Sequence, residues 1–206
     1  MRRLALILAL CLVIPFTLTA CNGGGGEPVT ADEILPVAKA LIERSVVINT
    51  ALLGDGIPTG GTAFGEYYYA DEAWEDRYAI DSVEDLLSYA ASVYTTTIYD
   101  QLYSLTIAKD GVEPPDYQNR GKPAAGLLVY SARQGWYKNT EHEYLYDTMT
   151  MTASTANTAT VALTVRITPE GYTPQEREIS LNLLLTEGGW RCDKLTYVAY
   201  DYSSVN

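Results

Sequence analysis

The chain has 206 residues, with 14 basic side chains against 26 acidic ones and a formal net charge of −12. That balance excludes the nucleic-acid binders, because phosphate contacts need a basic face. Three cysteines and one histidine leave little material for thiol, imidazole or zinc chemistry, and neither cofactor nor metal is expected.

The first segment reads as an address. Met1-Arg2-Arg3 is basic, and Leu4 to Leu18 is apolar except at Pro15 and Thr17. The run falls short of the roughly 20 apolar residues of a spanning helix. Its end, Leu18-Thr19-Ala20-Cys21, matches the bacterial lipobox, which implies cleavage before Cys21 and a diacylglycerol on its thiol. Asn22 and four glycines follow as a flexible tether. Residues 1–20 are therefore expected to be a lipoprotein signal peptide, and 21–29 the lipidated Cys21 with its Gly-rich tether. Residues 30–206 are expected to form a single domain on the extracytoplasmic face of the cell membrane. Setting aside Arg2 and Arg3 leaves 12 basic residues against 26 acidic, a net of −14. Cys11 departs with the leader and Cys21 is lipidated, so Cys192 alone remains and no internal disulfide can form. His142 reads as a surface residue. No Asp-x-Asp-x-Asp-Gly calcium loop occurs.

Thr30-Ala31-Asp32-Glu33 is a capping box, and Ile34, Leu35, Ala38, Leu41, Ile42, Val46, Leu52 and Leu53 follow at helical spacing, with Asn49 a polar exception. Pro36 should kink or delay this helix, and Gly54 should stop it. Residues 55–62 read as an irregular Gly/Pro loop. Tyr67-Tyr68-Tyr69 and Trp74 to Ile80 are predicted to pair as a hairpin across Ala70-Asp71-Glu72-Ala73, with Asp71, Glu72, Glu75 and Asp76 in a solvated turn. Ser82-Val83-Glu84-Asp85 opens a second helix through Leu86, Leu87 and Ala90. Thr96 or Thr97 caps a third, carrying Ile98, Leu102 and Leu105. Residues 109–123 read as a surface loop.

The period then changes from helical to alternating. Leu127 to Ser131 and Trp136-Tyr137 suggest a hairpin. Met149 to Ala153, Val161 to Ile167, Ile179 to Leu185 and Trp190 to Tyr200 suggest a four-stranded antiparallel meander with one face buried. The phase slips near Asp193-Lys194, where a bulge is expected. Helices followed by a meander give an α+β fold, with the first helix lying across a curved sheet.

A long helix, two short helices and a final meander containing Gly188-Gly189-Trp190-Arg191-Cys192-Asp193 resemble the cone-shaped fold of nuclear-transport-factor-like proteins. A closer resemblance is to the D,L-endopeptidase inhibitor family of Gram-positive cell walls. It rests on Tyr67-Tyr68-Tyr69 with Arg77-Tyr78, on Leu86-Leu87-Ser88-Tyr89 leading into Val93-Tyr94-Thr95, and on Gly189-Trp190-Arg191. Tyr94 stands where that family has Phe. The resemblance implies a non-enzymatic binding module that engages or inhibits wall-cutting hydrolases. Tyr67, Tyr69, Trp74, Tyr78, Trp136 and Tyr137 are the candidate binding surface, since Tyr and Trp bury much area with few rotatable bonds. A small molecule or glycan held in the cone is the alternative. Catalysis is not expected. Gly-x-Ser-x-Gly is absent, and Asp100 on the third helix is the one carboxylate considered for a role inside the domain.

Overall fold

A computed structural model describes residues 26–54, 56–104, 117–119, 126–130 and 140–204. Cys21, Trp136 and Tyr137 lie outside the described residues, as does most of the expected 109–123 loop. The fold is α+β.

Helix α1 (Ala31–Leu52) starts at the capping box: the Glu33 carboxylate accepts from the Thr30 backbone N (2.9 Å) and from its hydroxyl (2.8 Å). Those bonds hold the Glu33 carboxyl below the usual range. The helix runs through Pro36 without a delayed start, because the ring falls on an exposed position near the N-terminus, where only one ladder bond is lost. It ends where the Leu53 and Gly54 amides both return to Asn49 O. Its buried face is apolar except for Ser45 and Asn49.

The next segment departs from expectation. Thr59–Phe64 is a strand, β1, and not an irregular loop; it pairs antiparallel with β2 (Tyr67–Ala70). Its Gly60-Gly61 pair lowered its apparent strand character, yet Gly61 supplies a φ of +77° where the ladder shifts register. Tyr67–Ala70 therefore finds its hairpin partner upstream, and Glu72–Tyr78 is a helix, α2. Asp71 is its N-cap: its carboxylate accepts from Trp74 N at 3.0 Å. Glu72 and Glu75 fill the first turn, where the helix dipole favours acids. Glu75 is not in a solvated turn either, because it accepts from Leu127 N at 2.6 Å.

Helix α3 (Val83–Ala91) begins at Ser82, whose hydroxyl accepts from Asp85 N, as read from sequence. Helix α4 (Thr96–Tyr103) is flanked by Thr95 rather than by Thr96 or Thr97. Tyr117–Asn119 is a short strand, β3, inside the expected loop, and β4 (Leu127–Tyr130) lies between β2 and β3. These strands form a sheet of order β1-β2-β4-β3.

The second sheet is the expected meander, in order β5-β6-β7-β8. Strand β5 runs from Thr140 to Ser154, longer than the alternation of Met149 to Ala153 revealed; β6 is Thr158–Pro169 and β7 is Gln175–Thr186. Strand β8 is only Gly189–Cys192. The chain bends at Asp193-Lys194 and leaves the ladder, so the expected bulge is instead the end of the strand. The outer edge of β8 is covered by the α3–α4 linker: Cys192 N donates to Val93 O (2.8 Å), and Thr95 N donates to Cys192 O (3.0 Å).

Helix α1 lies on the second sheet, mainly on β5. Val161, Val165, Ile167, Leu181 and Leu183 alternate inward with polar neighbours, which is why one face of β6 and β7 packs and the other is wet. The larger core cluster joins α1, α3 and α4 to both sheets. A smaller one gathers Ile42 with Tyr144, Leu163, Val165, Ile167, Leu181 and Tyr200.

Candidate functional site

The strand register sorts the aromatic residues into two groups. Tyr67 opposes Phe64 on one side and Tyr130 on the other, and Tyr69 opposes Leu128. Directly opposed residues share a face, so Phe64, Tyr67, Tyr69, Leu128 and Tyr130 stand on one side of the first sheet. Ala70, Tyr117, Leu127 and Val129 occupy the other side and belong to the main core. The aromatic face thus points away from that core. Its inner end is packed: Tyr67 is buried against Tyr130, ring centroids 5.4 Å apart, and its hydroxyl accepts from Gln118 Nε2 at 2.7 Å. Its outer end is open. Phe64 is 59% exposed, beside the Gly65-Glu66 turn, with its ring 6.2 Å from that of Tyr69.

Trp74 and Tyr78 belong elsewhere. They sit one turn apart on α2, with centroids 5.2 Å apart, and both pack half-buried on the main core. The Arg77 guanidinium lies 5.2 Å from the Tyr78 ring centre. Of the candidate surface read from sequence, Tyr67 and Tyr69 share one face, whereas Trp74 and Tyr78 pair with each other away from it. Phe64 and Tyr130 were missed. The alternation on either side of Gly65-Glu66 was the available signal, masked by the two glycines before it.

A second place of interest lies under the end of α1. A cavity of about 70 Å³ is lined by Val46, Asn49, Thr50, Gly54, Thr140, His142, Tyr144 and Tyr197. His142 is not a plain surface residue: Nε2 lies 2.8 Å from Val198 O, Nδ1 3.3 Å from Thr140 O, and the ring centre lies 5.0 Å from that of Tyr197, the two planes tilted by 40°. Below the cavity is a buried polar cluster centred on Thr196, which is fully buried. Its Oγ1 is 2.6 Å from Ser45 Oγ, 2.6 Å from Asn49 Nδ2 and 3.0 Å from Tyr94 OH. Tyr94 OH also donates to Asn49 Oδ1 (2.8 Å), and Tyr144 OH donates to Thr196 O (3.2 Å). Burial raises the phenol pKa of both tyrosines and pushes the Cys192 thiol up to about 12. All three groups are neutral at physiological pH; the two phenols act as hydrogen-bond donors and acceptors and the thiol as a small apolar side chain, none of them as a base.

No protein-family model matches this sequence. No curated protein is significantly similar to it. The functional reading therefore rests on the residues themselves. Among the described residues, no three His, Cys, Asp or Glu side chains are grouped so as to hold a metal ion. No described helix is long and apolar enough to cross a membrane. Asp100 lies exposed on α4, away from the cavity lining.

Proposed function

We propose that this chain is a lipoprotein held at Cys21 to the outer face of the cell membrane, and that it acts as a non-enzymatic binding module for a cell-wall hydrolase. The observation that carries the binding reading is Phe64: a large apolar ring, mostly exposed, at the end of a hairpin and flanked by Tyr69 on a face that the main core does not use. Isolated exposed apolar residues are ordinary. One continuous with a packed aromatic row offers a partner a rigid anchor. Glu66 in the adjoining turn suits a basic rim on that partner.

The alternative occupant, a glycan or small molecule inside the domain, meets a volume objection. The cavity under α1 holds about 70 Å³, whereas ligand pockets run from roughly 300 Å³ upward; two larger clefts, about 440 Å³ beside Glu170 and Tyr172 and about 520 Å³ beside Arg177 and Asp201, lie open on the surface and not inside the domain. A catalytic reading meets another: the buried polar cluster carries hydroxyls and an amide, and among the described residues no carboxylate.

The test uses the purified chain to capture proteins from wall extract, followed by a wall-hydrolysis assay with and without it. Phe64→Ser is expected to weaken capture by about 30-fold, as for a central aromatic anchor, while leaving the melting temperature unchanged. Unaltered hydrolysis in the presence of the wild-type chain overturns the hydrolase reading. Unaltered capture by Phe64→Ser overturns the surface.

A further inference from the structure

Arg44 on α1 and Arg191 on β8 are 147 positions apart in sequence, yet both reach the end of α3. Arg44 Nη2 donates to Ser92 Oγ, and Arg191 Nε donates to the adjacent Ala91 O at 3.0 Å. The two guanidinium groups therefore converge on one spot. Neither meets a carboxylate among the described residues. Arg166, by contrast, is clamped between Glu143 (2.6 Å) and Glu176 (2.7 Å), and Arg177 lies 3.2 Å from Asp201. In a chain with nearly twice as many acids as bases, an acid-free arginine pair is conspicuous. The neighbours maintain this. One turn either side of Arg44 on α1 stand Ala40, Leu41, Val47 and Ile48, and the residue opposite Arg191 on β7 is Leu184.

The end of a helix attracts cations, and that alone could place one arginine here. The pull of a helix C-terminus equals roughly half a negative charge, and α3 has only nine residues. Two full positive charges exceed it about fourfold. Arg191 is moreover positioned deliberately. Its Nη1 donates to Trp190 O at 2.9 Å, and its guanidinium folds over the Gly188-Gly189 turn, where a Cβ on Gly188 would stand 2.8 Å from Nη2. Arg44 is steadied by the Tyr89 ring, 5.5 Å from its guanidinium carbon. Burial, and then the charge of Arg44, lower the pKa of Arg191, as a pair of uncompensated like charges would.

We propose that Arg44 and Arg191 form a binding site for a tetrahedral dianion, the chemistry of a phosphate monoester. Two cations call for two negative charges, and guanidinium N–H groups match the oxygens of a phosphate in bidentate fashion. Arg191 Nη2, and Nε and Nη1 of Arg44, make no other hydrogen bond among the described residues, so donors remain for the ligand.

Isothermal titration of the purified full chain in neutral detergent, at fixed ionic strength, tests this with inorganic phosphate, sulfate and acetate as probes. Phosphate and sulfate are expected to bind saturably and acetate at least about tenfold more weakly. Arg44→Gln and Arg191→Gln are each expected to weaken phosphate binding about tenfold or more, the usual effect of losing a charge-assisted hydrogen bond. Arg177→Gln makes the same charge change elsewhere and should leave binding intact. Arg44 is exposed, so Arg44→Gln keeps the test sound even if Arg191→Gln fails to fold. Absence of saturable phosphate binding, or equal losses in Arg44→Gln and Arg177→Gln, overturns the proposal.

Discussion

Thr196→Val is the sharpest probe of how α1 is fixed to the sheet. Valine has nearly the shape of threonine, so the change leaves no cavity, and only the hydroxyl is lost. That hydroxyl touches three groups: it accepts from Asn49 Nδ2, and because the Ser45 and Tyr94 protons are committed to Ile42 O and Asn49 Oδ1, its single proton is shared between the Ser45 and Tyr94 oxygens. Ser45 keeps its bond to Ile42 O at 2.6 Å, and Tyr94 keeps its bond to Asn49 Oδ1 at 2.8 Å. Asn49 Nδ2 loses the partner it now has at 2.6 Å. One stranded buried donor costs about 1–3 kcal/mol, and the hydrogen bonds lost beside it bring the total to about 2–3 kcal/mol. In a domain of this size that corresponds to a fall in Tm of about 5–10 °C. Thr196→Ser keeps the hydroxyl and removes one methyl, so it should cost about 1 kcal/mol. Thermal unfolding followed by far-UV circular dichroism measures both. A Thr196→Val protein melting at or above the wild type, or a Thr196→Ser protein as weak as it, would refute the claim that the hydroxyl is the hub.

Ala79, which ends α2 with φ +52° and ψ +45°, is the only non-glycine residue at positive φ among those described; Ala79→Gly should therefore raise stability by about 0.5–1 kcal/mol in denaturant titrations. Cys192 gives a pH signature. Its thiol ionises at 9.0 when unfolded and at about 12 when folded, so between those values the unfolded state binds fewer protons and stability falls as pH rises. Cys192→Val should make that decline shallower by about 1.4 kcal/mol per pH unit, measured as urea midpoints from pH 9 to 12. An unchanged slope would mean the thiol is not buried. Cys21→Ala should move the protein from the membrane to the soluble fraction; retention would identify the Leu4 to Leu18 run as the anchor.

What the sequence revealed was whatever strict periodicity or capping chemistry encodes. Thr30 with Glu33, Ser82 with Asp85, and the inward alternation along β6 and β7 each carry their own local cause, and each element appears where its pattern lies. The errors cluster between residues 55 and 80, where local signals compete. Gly60 and Gly61 suggest a loop, yet pairing with Tyr67–Ala70 overrides them. Trp74 and Tyr78 have the propensity of strand residues, yet the Asp71 cap and the acidic first turn decide for helix. Placing the tyrosines in a hairpin was right; assigning the partner was not, and that shifted Trp74 and Tyr78 onto the wrong surface. His142, Thr196 and Arg191 could not have been singled out from sequence, because their roles depend on residues 56, 151 and 100 positions away.

The final segment shows why a polar cluster lies inside an otherwise apolar interface. After Cys192 the chain leaves the ladder, and residues 195–201 have no regular strand pairing to hold them. Side chains do it instead. Thr196 is bound by α1 and α4's approach through Ser45, Asn49 and Tyr94; Val198 O meets His142; Tyr200 OH donates to Thr173 O at 2.9 Å; and Gln175 both donates to Asp201 O and accepts from its amide. Arg177 adds an ion pair to Asp201. Ser45 and Asn49 are spaced four apart on the buried face of α1, so their bonds to Thr196 fix the helix along its axis as well as against the sheet, which apolar contacts alone would leave free to slide. An interface fixed in this way leaves the face of the meander under α1 occupied. Under the two proposals, recognition falls to surfaces outside this interface: the open end of the aromatic row at Phe64, and the arginine pair at the end of α3.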